Sequence, residues 1–175
     1  MKHNLEVKYG LSAVELLDAI ERRFRLKVAL EGAVAEVHFE RKVRLACKEG
    51  WLASFESHDT DGMHDFTVET RQAALMRIEV KTVRNGPNPK VELQKTRASI
   101  EDASSRFYDH NHFDIVAVNI GRFTGNWEDF RYALVREMPS HAKHPQKLRV
   151  FHPIEEINAF GTRWFSRFQD VIDAY

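Results

Sequence analysis

At 175 residues the chain is long enough for one domain with its own hydrophobic core, and its 43% apolar and 30% charged content excludes a disordered polymer. The 26 basic and 26 acidic residues balance, which argues against a strong nonspecific nucleic-acid binder while leaving local patches open. Cys47 stands alone, excluding an internal disulfide or a multi-cysteine zinc site, and neither a membrane-span-length apolar run nor a signal-peptide core is present, so a reducing, cytoplasmic location is expected.

Ser12 with Glu15 three residues on forms a capping box, and Leu17, Ile20, Phe24 and Val28 follow at helical spacing, which predicts a first helix over 12–28. After Gly32, residues 33–50 read as a second helix closed by Gly50, with Glu36 and Glu40 one turn apart. The centre reads as strands: 51–57, then a turn at 58–63, then 65–70, 74–84 and 90–97, the last two split by the turn sequence NGPNP. Residues 99–109 suggest a helix with Ser99 as N-cap and Asp102 at its third helical position. Residues 113–120 read as the clearest buried strand and 129–137 as another; 139–147 reads as a polar loop, and 158–175 as a C-terminal helix. The layout is a single α/β domain: N-terminal helices 12–49, a sheet core 50–120 and a C-terminal extension 121–175.

The chemistry concentrates between Asp65 and Lys81. Glu79 and Lys81 flank Val80 on one strand and therefore project to the same face, and a hairpin would bring Asp65 beside them. Two carboxylates and an ammonium suit a hard divalent cation and an activated water. Asp65 and Glu79 are the expected metal ligands, with the Val80 carbonyl a candidate third, and Mg²⁺ the expected ion, with Mn²⁺ as a substitute. Lys81 is expected either to orient or deprotonate the attacking water or to steady the charge on phosphorus. Lys81, Arg84, Lys90, Lys95 and Arg97 gather positive charge nearby, which suits a phosphate backbone.

Asp65 followed by Glu79-Val80-Lys81 in a hydrophobic strand resembles the signature of the PD-(D/E)XK nuclease superfamily. The phrase DGMHDFTV resembles its first strand motif, with His64 where the eponymous proline would be. Upstream, EGAVAEVHFE resembles the helix that contributes a further acid, matched by Glu36. Downstream, VELQKTR resembles the polar strand that follows, where Gln94 and Lys95 would border the metal or the scissile phosphate. The resemblance covers about residues 31–118. It implies a restriction-endonuclease-like fold, a central mixed β-sheet flanked by helices. It also implies a DNA endonuclease, restriction-type in use, and a homodimer, because cutting both strands takes two active sites.

Simpler readings exist for each residue. Glu79 and Lys81 can be an exposed cross-strand ion pair, Asp65 a turn carboxylate with Asp59 and Asp61 as rivals, and Glu36 and Glu40 a helix face paired with Arg41 or Arg44. Gln94, Lys95 and Arg97 can be ordinary strand residues, and the cluster Arg22, Arg23, Arg25 and Lys27 a solvated helix face or a phosphate contact. His110-Asn111-His112 is a loop, not an HNH nuclease motif; His58 and His64 are a weak metal pair. Trp127, Trp164 and the phenylalanines read as core, while Phe107-Tyr108 is read as partly exposed. The competing hypothesis is a catalytically silent nuclease-fold module that binds nucleic acid or a partner protein. In that case the two carboxylates do not converge or Lys81 is locked in a salt bridge. A third, an ordinary α/β interaction protein, requires that the two motif strands not be neighbours.

Overall fold

The computed structural model describes residues 2–84, 86–95, 102–154 and 162–175. The chain divides into two compact units, Met1–Val34 and Ala35–Tyr175.

The first unit is helical. Helix α1 (Asn4–Tyr9) is capped by His3 with Glu6, and α2 (Ala13–Glu21) by Ser12 with Glu15 as expected. The helix predicted over 12–28 ends early, with Arg22 as its C-cap, and α3 (Phe24–Glu49) starts two residues on. Gly32 does not separate two helices. It sits inside α3, where a glycine costs about 1 kcal/mol against alanine without breaking the run. Gly50 does close α3, its φ of 84° lying in the left-handed region that helix C-termini favour.

In the second unit, a five-stranded sheet runs in the order β1 (Leu52–Ser57), β2 (Phe66–Thr70), β3 (Leu75–Thr82), β5 (Ile115–Asn119), β6 (Phe130–Leu134). Strands β1, β2 and β3 form an antiparallel meander, β3 and β5 are parallel, and β5 and β6 antiparallel, so the sheet is mixed. Alternation sorts the side chains by face. Phe66, Val68, Met76, Ile78, Val80, Ile115 and Ala117 join a core with Ala35, Phe39, Val43 and Ala46 of α3. Helix α5 (Phe168–Asp173) adds Phe168 and Val171 to that core, and the Phe39 ring meets those of Phe66 at 5.1 Å and Phe168 at 5.3 Å. Val116, Val118 and Ala133 join a second core on the opposite face with Val91, Tyr108, Phe113, Leu148 and Trp164. That face carries two ribbons, β4 (Lys90–Glu92) with β9 (Phe151–Pro153), and β7 (Ser140–His141) with β8 (His144–Leu148). The expected central mixed sheet flanked by helices is thus present.

Other elements differ from expectation. Of the strand predicted over 90–97, residues 96 and 97 lie outside the described residues, and the rest gives the short β4, which pairs with β9 rather than joining the main sheet. Of the helix predicted over 99–109, residues 99–101, with the expected cap Ser99, lie outside the described residues, and the rest holds a 3₁₀ turn, Ala103–Arg106, with Asp102 as its N-cap. The polar stretch 139–147 is largely a hairpin. Among the described residues of the predicted C-terminal helix, 162–175, only α5 is helical; before it, Phe165 bridges Tyr132 in extended form. A short helix, α4 (Gly121–Thr124), follows β5. No described helix is long and apolar enough to cross a membrane.

Candidate active site

Asp65 immediately precedes β2, at the foot of the loop from β1, where its carbonyl accepts from the His58 amide at 2.9 Å. The β2–β3 register pairs Phe66 with Ile78 and Thr67 with Arg77, and one further step sets Asp65 opposite Glu79. The Asp65 amide donates to the Ile78 carbonyl at 3.1 Å, and Asp65 Oδ2 accepts from the Val80 amide at 2.7 Å. Amide and carbonyl of one strand residue point to the same edge, so the Val80 carbonyl also lies on the β2 side, past the end of that strand. Asp65, Glu79 and Val80 are therefore brought together, as expected.

Glu79 is buried, and a buried carboxylate needs partners. Its Oε1 accepts from the Tyr108 hydroxyl at 2.6 Å and from the Lys81 ammonium. Lys81 also lies 5.6 Å from the centre of the Tyr108 ring, and Lys95 lies 5.8 Å from the same ring. Tyr108 is buried rather than partly exposed, a correction to the sequence reading. It hydrogen-bonds Glu79 from 29 residues away.

The electrostatics follow from this crowding. Burial first, then the Glu79 charge, pushes the Asp65 carboxyl up to about 7, against the pull of Lys81 and the Val80 amide. Burial would strip the Lys81 ammonium, but Glu79, Tyr108 and Asp65 hold its proton well above the usual lysine range. Burial raises the Tyr108 hydroxyl. Glu36 on α3 feels Lys81, Glu79 and Asp59: surrounding atoms raise its carboxyl, Lys81 opposes, and because the side chain is exposed, solvent screens much of the effect. Glu40 pairs with Arg44 at 2.5 Å.

Of the remaining predicted residues, Arg84 precedes β4, and Gln94 and Lys95 follow it. Gln94 turns its amide to Glu92, and its backbone bridges Phe107, next to Tyr108. Arg84 is exposed and engaged, 2.5 Å from Glu92 and 5.7 Å from the Phe151 ring, with Lys90 over the same ring at 5.0 Å. Arg97 lies outside the described residues. His58 and His64 both meet Thr67 Oγ1, at 2.9 and 2.8 Å, with their rings edge to face. His110–His112 is a loop whose Asn111 carbonyl accepts from Arg77 at 2.6 Å. Trp164 and six phenylalanines are core, whereas Trp127, expected there too, is half-buried, and Phe24, Phe123 and Phe151 are exposed.

Among the described residues no group of three or more His, Cys, Asp or Glu side chains is arranged as a metal cage. The donor set still fits Mg²⁺, which keeps several waters and needs only one or two carboxylates. Two adjacent carboxylates, one of them raised by burial and then by the other's charge, are the setting a divalent ion relieves.

No known family model matches the chain, and no curated protein matches its sequence. Its structure is similar to that of a bacterial homing endonuclease, I-Ssp6803I, at 18% identity and a TM-score of 0.50, over 75% of this chain and 80% of that one. The likeness is one of fold. It supports a nuclease fold for this chain and is silent on its catalytic residues.

Proposed function

We propose that the chain is a Mg²⁺-dependent endonuclease of the PD-(D/E)XK superfamily that hydrolyses phosphodiester bonds in DNA, with restriction-type cleavage as its expected use. The single observation that carries this reading is the meeting of Asp65 and Glu79 across the β2–β3 register, with Lys81 on the same face. The similarity in fold to a homing endonuclease supports it.

In this reading Asp65 and Glu79 hold the ion with the Val80 carbonyl, and a bound ion supplies a nucleophilic water and charge stabilisation at phosphorus. Lys81, whose proton is held by Glu79, Tyr108 and Asp65, is a cation that orients the water or offsets charge on the phosphoryl oxygens. Tyr108 fixes the Glu79 carboxylate through its hydroxyl. Lys95 brings a second ammonium to the Tyr108 ring and is the stronger candidate for backbone contact, because Arg84 is already engaged with Glu92. Glu36 adds negative charge at the edge of the site, and Gln94, bridged to Phe107, supports the segment that carries Lys95.

The test is cleavage of a long randomised duplex library with and without Mg²⁺. The wild type should cut only with the ion, and Asp65→Ala and Lys81→Ala should each lose about 10²-fold or more. Cutting that persists in Asp65→Ala would sink the assignment. One observation favours the silent-module reading instead: Lys81 is ion-paired with Glu79. A protein that binds duplex DNA but never cuts it, with or without the ion, would establish that reading. The third alternative requires that the two motif strands not be neighbours, and their pairing counts against it.

A further inference from the structure

We propose that residues 4–30 form the surface on which a second copy of this chain docks, in antiparallel fashion. None of the described residues of the Met1–Val34 unit is buried. Ten large apolar side chains there are exposed, from Leu5 at 47% and Val7 at 71% to Val14 at 67%, Leu17 at 58% and Phe24 at 81%. Helices of 6 and 9 residues do not persist in water on propensity and caps alone; an apolar face has to be covered. On α3 Phe24 and Val28 lie opposite Leu26 and Leu30, so one face carries about half of the ten, on the order of 500 Å² of apolar surface per chain, the apolar share that one partner brings to a standard stable interface.

The charge pattern selects the occupant. Glu15, Asp18 and Glu21 occupy 9–21 with no Lys or Arg among them, and Arg22, Arg23, Arg25 and Lys27 occupy 22–30 with no Asp or Glu. A segment that is acidic in its first half and basic in its second is complementary to itself when reversed, and a two-fold axis supplies that reversal. The one salt bridge within the segment, Arg22 with Asp18, is 3.9 Å long and open to solvent, so both charges are available to a partner. The inference stands independently of the nuclease reading, and it assigns the expected homodimer its element.

Sedimentation equilibrium of the full chain across the micromolar range tests it. The wild type should show twice the 20.4 kDa chain mass. Asp18→Lys with Glu21→Lys should sediment as a single chain, and so should Arg22→Glu with Arg25→Glu. An equimolar mixture of the two variants should regain the doubled mass, which misfolding could not mimic. A wild type of single-chain mass would overturn the proposal, including the case in which Leu17→Asp lowers the melting temperature and the apolar face is covered by its own chain. Two variants that each keep the doubled mass, or a mixture that stays single, would overturn it equally.

Discussion

Glu79 concentrates the residue-scale argument, because one buried carboxylate oxygen serves both Lys81 and Tyr108. Removing the tyrosine hydroxyl leaves that oxygen with a single partner and frees the carboxylate to rotate. Tyr108→Phe should therefore lower Mg²⁺-dependent cleavage about 10-fold and destabilise the fold by about 1 kcal/mol, the worth of one hydrogen bond. Kinetics alongside denaturant titration check this; unchanged cleavage would show that Tyr108 plays no positioning part. The trio Asp65, Glu79 and Lys81 was legible in the sequence because strand alternation fixes which side chains share a face. Tyr108 was not. It belongs to a loop whose place depends on the parallel pairing of β3 with β5, a long-range contact that no local pattern encodes.

At the scale of elements, the strands with apolar alternation or continuous burial were legible, and the segments ended by tertiary context were not. Residues 90–97 have strand chemistry, yet among the described ones, 90–95, only three form a strand, and their partner is β9, some 60 residues away. Gly32 reads as a helix stop, but it lies within 26 residues of continuous helix. In β9, His152 is fully buried: its Nε2 meets the Arg149 carbonyl at 2.7 Å and its Nδ1 meets Thr162 Oγ1 at 3.3 Å. Burial pushes its imidazole down to about 4, with the Arg149 carbonyl opposing. Between the ordinary histidine value near 6.5 and 4, the unfolded chain takes up a proton that the folded chain refuses. Stability from this group is therefore present above about 6.5 and falls as pH drops toward 4, by about 3 kcal/mol at most. Urea titrations of the wild type and His152→Asn at both ends of that window should show a flatter pH dependence in the variant. Equal losses in the two would contradict the assignment.

For the whole molecule, zero net charge conceals an uneven distribution: Lys81 and Lys95 converge on the Tyr108 ring, and residues 9–30 split into an acidic and a basic half. The sheet order was half legible. A meander through β1, β2 and β3 follows from hairpin-like turns, whereas the parallel step to β5 depends on a long crossover that sequence spacing does not specify. That step covers the site's face with a second core and seats Tyr108 against Glu79. Cleavage assays depend on supplying the right target sequence, but metal binding does not. The most direct measurement is therefore a titration of Mn²⁺, a substitute for Mg²⁺, into the protein with duplex DNA, reading the free ion by electron paramagnetic resonance. The account predicts stoichiometric uptake by the wild type and none by Asp65→Ala with Glu79→Ala; equal uptake by both, or none by either, would contradict it.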